Sequence, residues 1–261
     1  RYFAMGVGVL LIVSIAIAWV KRKEFGLTPL KWSLVLLSLI CLQGAFGAWT
    51  VTLKLQPIIV TTHLMLGLCL LMGLVAFSES ATQSIDKPQW QSPLRRTVPL
   101  IGLVLLLIQV FLGGWVSTNY AVLACSGFPM CNGAWMPDMD FLNGFTWWRE
   151  LGKTASGEYL DVRALTAIHW VHRLGALIVF VVLVLIWRYI GQLIKNANPL
   201  WTDRVKPWKR ALGVLIILQL LTGMSNVVLD WPIIAALMHT AGAAALLAVM
   251  TKLILLSSTK L

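Results

Sequence analysis

Three of the four histidines lie in apolar stretches, and they are the residues best suited to do chemistry in this chain. Two of them belong to a duplicated pattern, because Gln43 precedes His63 by the same interval by which Gln219 precedes His239. The third is His172. Histidines inside a membrane and at repeat-equivalent positions predict a pair of metal or cofactor sites.

The duplication includes the residues around the histidines. Gln43 opens the string Gln-Gly-Ala-Phe-Gly and Gln219 opens Gln-Leu-Leu-Thr-Gly, and a turn with Pro57 or Pro232 leads from each string into a histidine-bearing segment. A further Gln-xxx-Gly string begins at Gln109. We interpret these strings as devices for close helix packing rather than as chemistry, since small residues let helices approach closely.

Composition places the chain in a membrane. Hydrophobic residues make up 59% of the 261 residues and charged residues 12%, which is more apolar material than a soluble domain buries. The apolar runs reach about 20 residues, the length that crosses a bilayer as a helix. We therefore predict an all-α polytopic membrane protein. Its predicted spans are 2–20, 31–52, 57–78, 98–117, 165–189, 210–229 and 233–256.

The net charge of +11 reports topology rather than nucleic-acid binding. Every second connection between spans is basic, at 21–31, at 87–96 with Lys87, and at 188–210, whereas the alternate connections are acidic or nearly uncharged. Basic connections of membrane proteins face the cytoplasm. This predicts a multi-pass protein in the lipid bilayer, with its C-terminus in the cytoplasm and its long loop outside, and no nucleic-acid partner.

The start of the chain indicates a missing segment. Arg1 is not a Met and begins almost directly in a span, and residues 1–4 parallel residues 173–176, which follow His172. We therefore expect one further span upstream of Arg1, with a histidine immediately before it. The complete protein would then have eight helices in two four-helix halves, and the histidines would pair within each half, His172 with His239.

The expected division follows from this repeat. An N-terminal half-bundle that lacks its first helix is predicted at 1–80 and a cytoplasmic linker at 81–97. A C-terminal four-helix half-bundle is predicted at 98–261, with an extracytoplasmic loop at 118–163.

Paired histidines on facing helices of a bundle can clamp a haem between them. Small residues one turn beyond the histidines are expected to make room for the ring: Gly67, Ala176, Gly242 and Ala243. The histidines lie near the outer ends of their spans, so Arg173 could reach haem propionates at the membrane surface. The role of His169 stays open between supporting His172, contacting a substrate and packing.

Zinc is the competing metal, and the cysteines give it little support. Cys41 and Cys69 lie within spans and are expected to be inert packing residues. Cys125 and Cys131 lie together in the outer loop, where an oxidising compartment favours a disulfide between them. A redox-active pair that passes electrons to the site is the alternative.

Three stretches of the chain resemble the haem A synthase family of bacteria and mitochondria. They are Leu112-Gly-Gly-Trp-Val-Ser-Thr-Asn-Tyr-Ala121, the cysteine loop at 124–137, and Ile168-His-Trp-Val-His-Arg-Leu-Gly-Ala176. The resemblance covers essentially the whole chain. It implies a duplicated four-helix architecture, haem b as cofactor in the C-terminal half and haem O as substrate in the N-terminal half. The implied reaction oxidises the C8 methyl group of haem O to a formyl group, giving haem A for cytochrome oxidase.

The resemblance also implies residue roles. His172 and His239 match the axial ligands of haem b, His63 matches a substrate-side histidine, and the outer cysteine pair matches that of the family. The acidic residue implied for catalysis would fall upstream of Arg1, so this fragment is expected to be incomplete for catalysis. Haem O synthase, cytochrome oxidase assembly factors and an electron donor that the sequence does not identify are the implied partners, in a bacterial plasma membrane. A di-haem b-type electron-transfer protein and a haem carrier are the alternatives.

Overall fold

The computed structural model describes residues 2–83 and 92–257. Among the described residues, seven helices are long and apolar enough to cross a membrane. They are α1 (Tyr2–Val20), α3 (Thr28–Thr52), α4 (Pro57–Gln83), α5 (Thr97–Thr118), α7 (Val162–Asn196), α8 (Pro199–Val228) and α9 (Ile233–Leu255). Two short helices, α2 (Arg22–Phe25) and α6 (Phe141–Gly144), lie in connections. The predicted all-α polytopic fold is confirmed.

Several sequence predictions lie outside the described residues. They concern Arg1, Lys87, residues 84–91 of the predicted linker, and the C-terminal residues 258–261. The division into two halves and a linker therefore stays a prediction.

Only α7 and α8 are clearly longer than the predicted spans. Helix α7 ends at Asn196 instead of residue 189, and α8 begins at Pro199 instead of residue 210. These extra turns contain charged residues, so a hydropathy pattern excludes them. They are nevertheless anchored in the protein, because Trp201 is 0% exposed and donates from Nε1 to the carbonyl oxygen of Leu256 at 3.2 Å. Asn198 separates the two helices by accepting a hydrogen bond from the first turn of α8, as N-cap residues do.

The packing order of the helices places two histidine-bearing helices side by side. Helix α1 packs on α3 and α3 on α4, whereas α5 packs on α7, α7 on α8 and α8 on α9. Helices α4, α5 and α9 also contact one another, and one apolar core runs through α4, α5, α7, α8 and α9. The outer faces of the helices expose large apolar side chains, as a lipid environment requires.

An ion pair joins α4 to α9 at the ends remote from their histidines. The Lys252 ammonium donates to the Glu79 carboxylate, and their side chains are only 18% and 7% exposed. The Lys252 ammonium also lies 5.5 Å from the centre of the Trp208 ring. The pair is thus a polar contact between α4 and α9 in an otherwise apolar region.

A disulfide between Cys125 and Cys131 closes part of the long outer loop, and we call residues 125–131 the disulfide loop. The free cysteines differ from expectation, because Cys41 and Cys69 are both exposed on the helix surfaces. The expectation that they pack in the interior is wrong. A thiol is apolar enough to face lipid, so its presence within a span does not determine which face it occupies.

The outer loop is attached to the helices by indole hydrogen bonds. Trp115 donates from Nε1 to the carbonyl oxygen of Gly144 at 3.0 Å, and Trp170 donates from Nε1 to the carbonyl oxygen of Trp135 at 2.9 Å. Trp147 is 63% exposed. Exposed indoles on a loop of this kind are typical of a membrane–water interface.

Candidate functional site

Each histidine of the duplicated pattern lies against the glycine that ends its Gln-xxx-Gly string. A Cβ atom added at Gly47 would lie 3.1 Å from Cε1 of His63, and one added at Gly223 would lie 3.2 Å from Cε1 of His239. Both distances are shorter than ordinary van der Waals contacts. The glycines therefore seat the imidazole rings, and the two rings have the same position relative to their neighbouring helices.

His172 has the same seat, formed by the third string. A Cβ atom at Gly113 would lie 3.0 Å from its Cε1. Gln109, 63 residues earlier in the chain, places Nε2 2.9 Å from Nδ1 of His172 and donates to the His172 carbonyl oxygen at 3.0 Å. Sequence reasoning found all three strings but assigned no histidine to Gln109. The interpretation of the strings as devices for close helix packing is thus correct, and the side chains that pack against their glycines are the histidines.

The glutamines also lie against two of the small residues that were expected to make room for a porphyrin. Gln219 donates from Nε2 to the His239 carbonyl oxygen at 2.9 Å. A Cβ atom at Gly67 would lie 3.0 Å from Nε2 of Gln43, and Gly242 lies against Gln219 in the same way. The expectation that Gly67 and Gly242 make room for the ring is wrong, because these positions face the neighbouring helix and its glutamine.

The Thr222 hydroxyl contacts Nδ1 of His239. It lies 2.7 Å from the Leu218 carbonyl oxygen, to which it can donate, and 3.0 Å from Nδ1 of His239. When its one hydrogen is given to Leu218, its oxygen accepts at Nδ1, which then carries the imidazole proton. Nε2 of His239 keeps a free lone pair. This is the form in which a histidine ligates a metal, with the other nitrogen held by a hydrogen bond.

His63 lacks such support. Its Nδ1 is buried, and no described residue offers it a hydrogen bond. The position of Thr222 in its string corresponds to Phe46 in the first string, and Phe46 cannot accept the bond. The two repeat-equivalent histidines, His63 and His239, therefore have the same seat but different partners at Nδ1.

The donor set suits a haem better than zinc. Among the described residues, no three His, Cys, Asp or Glu side chains lie close enough to hold a metal ion together. His172 lies on α7 and His239 on α9, and α5 packs against both of these helices. A structural zinc site takes four protein ligands, whereas a haem iron takes one or two axial ligands. A half-buried histidine pair with a free Nε2 on His239 fits the haem.

Arg173 attaches the disulfide loop to α7. Its Nη1 donates to the carbonyl oxygens of Gly127 at 2.8 Å and Met130 at 3.3 Å, and its Nη2 donates to that of Cys125. Its Nε donates to Nε2 of His169 at 3.3 Å. Four of the five N–H donors of a guanidinium are thereby used. A propionate contact of Arg173 stays a prediction.

His169 lies in the C-terminal half and is 4% exposed. Because its Nε2 accepts from Arg173, that nitrogen is engaged in the link between α7 and the disulfide loop. A role of His169 in supporting His172 stays a prediction. A substrate contact of His169 stays a prediction.

Comparison with known proteins identifies the family of the chain. The sequence profile of the cytochrome oxidase assembly protein family, COX15-CtaA, matches residues 1–251. The chain belongs to this family. It is 36% identical over 95% of its length to a haem A synthase of Shewanella oneidensis. It is also 30% identical over 80% of its length to one of Methylobacterium radiotolerans, and 28% identical over 92% to one of Mesorhizobium japonicum.

The resemblance to the haem A synthase family is thereby confirmed, as is a function in haem A synthesis at the level of the family. The chain spans 71% of the length of the Shewanella relative, 54% of the Methylobacterium relative and 62% of the Mesorhizobium relative.

Proposed function

We propose that the protein acts as a haem A synthase, an oxidoreductase that converts the C8 methyl group of haem O to a formyl group for cytochrome oxidase assembly. Its membership of the family supports this activity. The structural observation that carries the proposal is the threefold Gln-Gly-His arrangement on adjoining helices, in which His63, His172 and His239 are seated alike.

The difference between the histidines supports a division of roles. In the proposal, His172 and His239 hold a resident haem b, which supplies one-electron transfer when it is bound. His239 has the Thr222 hydroxyl at Nδ1, and an acceptor there strengthens a ligand and its affinity for metal. His172 is positioned by the Gln109 amide, which contacts its Nδ1 and its carbonyl oxygen. His63, without a described partner at Nδ1, binds the substrate haem O. A weaker ligand suits a porphyrin that must leave as product.

The remaining residues orient these ligands and enclose the site. The glutamines and glycines of the three strings set the ring positions. Arg173 holds the disulfide loop over the outer end of α7, where it would limit access of water to the haem. The basic connections support an orientation with the disulfide loop outside a bacterial plasma membrane and the C-terminus in the cytoplasm. Haem O synthase would supply the substrate, and a separate donor or acceptor would exchange electrons with haem b.

The proposal is tested by expressing the intact gene with a haem O synthase in cells that make no haem A, and by chromatography of the extracted haems. Haem A, or the alcohol that precedes it, is the expected product, and His63→Ala should abolish it while haem b stays bound. Conversely, His239→Ala should lose the tightly bound low-spin haem. Haem O alone, in a folded and haem-loaded protein, would instead indicate an electron-transfer protein or a haem carrier.

A further inference from the structure

Arg149, in the outer loop, is a buried cation without an anionic partner. It is 3% exposed, its Nη2 donates to Oδ1 of Asn119, and its Nη1 donates to the Lys153 carbonyl oxygen at 3.2 Å. Both acceptors are neutral, and its Nε is buried without a hydrogen bond. No carboxylate of the described residues forms an ion pair with it. Burial lowers the pKa of Arg149, which shows how poorly its charge is solvated.

A cavity of about 280 Å³ lies beside this guanidinium. Its lining includes Arg149, Lys153, Glu150 and the amide of Gln56, which is itself 8% exposed. The carboxylate of Glu150 is engaged by Lys153 at 2.7 Å, and its side chain is 77% exposed. The charge of Arg149 is therefore left uncompensated. Leaving a buried charge without a partner is strongly unfavourable, so the cavity suits an anion.

The cavity lies at the outer end of the helix that carries His63. Gln56 directly precedes α4, and His63 follows seven residues later, about 10 Å along a helix axis. Asn119, which binds Arg149, ends α5. The hydroxyls of Thr61 on α4 and Thr118 on α5 lie 3.1 Å apart and link the two helices below the cavity.

We propose that Arg149, with Gln56 and Lys153, forms a carboxylate-binding site that takes a propionate of the porphyrin held at His63. A guanidinium binds a carboxylate through two parallel hydrogen bonds. Arg149 donates only two of its five N–H groups to described residues, so it has donors left for such a pair. The propionates are the polar ends of a porphyrin, so they project towards the outer surface while the apolar ring lies among the helices. The choice of porphyrin rests on the proposed function, and a free carboxylate ion is the other source of the same chemistry.

The test compares iron protoporphyrin IX, which has free propionates, with its dimethyl ester. Binding is measured on the full protein with its C-terminal haem already bound, through the absorbance change that His63→Ala abolishes. The wild type should bind the free acid roughly 10- to 100-fold more tightly than the ester, as expected for a hydrogen bond to a charged group. Arg149→Gln should reduce this ratio to about one, and Arg149→Lys should retain part of it.

Arg163→Gln is the matched control. Arg163 lies in the same outer region, but it is 52% exposed and pairs with Asp161 and Asp138, so its loss should leave the acid-to-ester ratio unchanged. The unfolding temperature without porphyrin separates a ligand site from a structural role. Arg149→Gln should not lower it, because the variant removes an uncompensated buried charge.

Three results would overturn the proposal. The first is an acid-to-ester ratio that Arg149→Gln leaves unchanged. The second is a lower unfolding temperature for Arg149→Gln in the absence of porphyrin, which would make Arg149 structural. The third is equal binding of acid and ester by the wild type, with sodium propionate alone raising its unfolding temperature, which would make the ligand a free anion. The test measures porphyrin binding and not haem A formation. A protein that makes no haem A can therefore still show a lower acid-to-ester ratio in Arg149→Gln, and an active haem A synthase can show no such change.

Discussion

Replacing Thr222 by Val tests the hydrogen bond that supports His239. The change removes the hydroxyl that accepts from Nδ1 at 3.0 Å and keeps a side chain of similar volume. Without an acceptor at Nδ1, the imidazole can carry its proton on Nε2 instead. Binding of iron at Nε2 must then return the proton to Nδ1, where it is buried without a partner.

The loss of haem affinity in Thr222→Val can be calculated from the unpaired Nδ1–H group of His239. A buried donor left without its acceptor costs about 1–3 kcal/mol. Since 1.4 kcal/mol corresponds to a factor of ten in affinity, the haem of the C-terminal half should bind about 10- to 100-fold more weakly in Thr222→Val. Loss of groups that support metal-bound histidines reduces metal affinity by about the same factor.

The assay follows the transfer of haem from purified protein to excess apomyoglobin, together with the low-spin absorption bands of the haem that remains. Thr222→Ser is the matched control, because it keeps the hydroxyl and should retain haem like the wild type. Equal haem retention by Thr222→Val and the wild type would refute the assigned tautomer of His239. Loss of haem in Thr222→Ser but not in Thr222→Val would instead indicate that the methyl group of Thr222 matters by packing.

Three further predictions follow from contacts between helices. Gly113→Ala should displace the His172 ring, because the new Cβ would lie 3.0 Å from Cε1. Overpacking of this kind costs about 1–3 kcal/mol and should lower haem occupancy. An unchanged haem absorption spectrum would contradict the packing of His172 against Gly113. Arg173→Gln should speed hydrogen exchange of the disulfide loop without unfolding the helices, and unchanged exchange would contradict its anchoring role. Glu79→Gln should destabilise the protein by about 3–5 kcal/mol, because Lys252 is left buried and unpaired. Thermal unfolding in detergent checks this, and adding Lys252→Met should restore part of the loss.

Much of the site could be predicted, because its elements repeat along the chain. The intervals from Gln43 to His63 and from Gln219 to His239 identify equivalent positions without any structure. The spans follow from apolar run lengths, and the predicted bounds are clearly too short only at α7 and α8. There, charged turns extend beyond the apolar run, and the burial of Trp201 stabilises them.

The incorrect expectations share one cause. Gly67 and Gly242 were assigned to a porphyrin because they lie one turn beyond a histidine, yet their faces meet glutamines of the neighbouring helix. Cys41 and Cys69 were assigned to the interior because they lie in spans, yet both are exposed. In a uniformly apolar helix, composition does not indicate which face meets lipid and which meets protein. The sequence of such a helix therefore does not predict the direction in which a given side chain points.

By itself, the sequence determined the membrane class, the spans, the candidate ligands and their duplication, because these depend on composition and on spacing along one chain. Only the tertiary structure decided that Gln109 serves His172, that Thr222 supports His239 while Phe46 leaves His63 without that support, and that Arg149 is buried without an anion. These are contacts between segments far apart in the chain. Which helix faces become neighbours is set by the packing of the whole bundle, and no local periodicity specifies it.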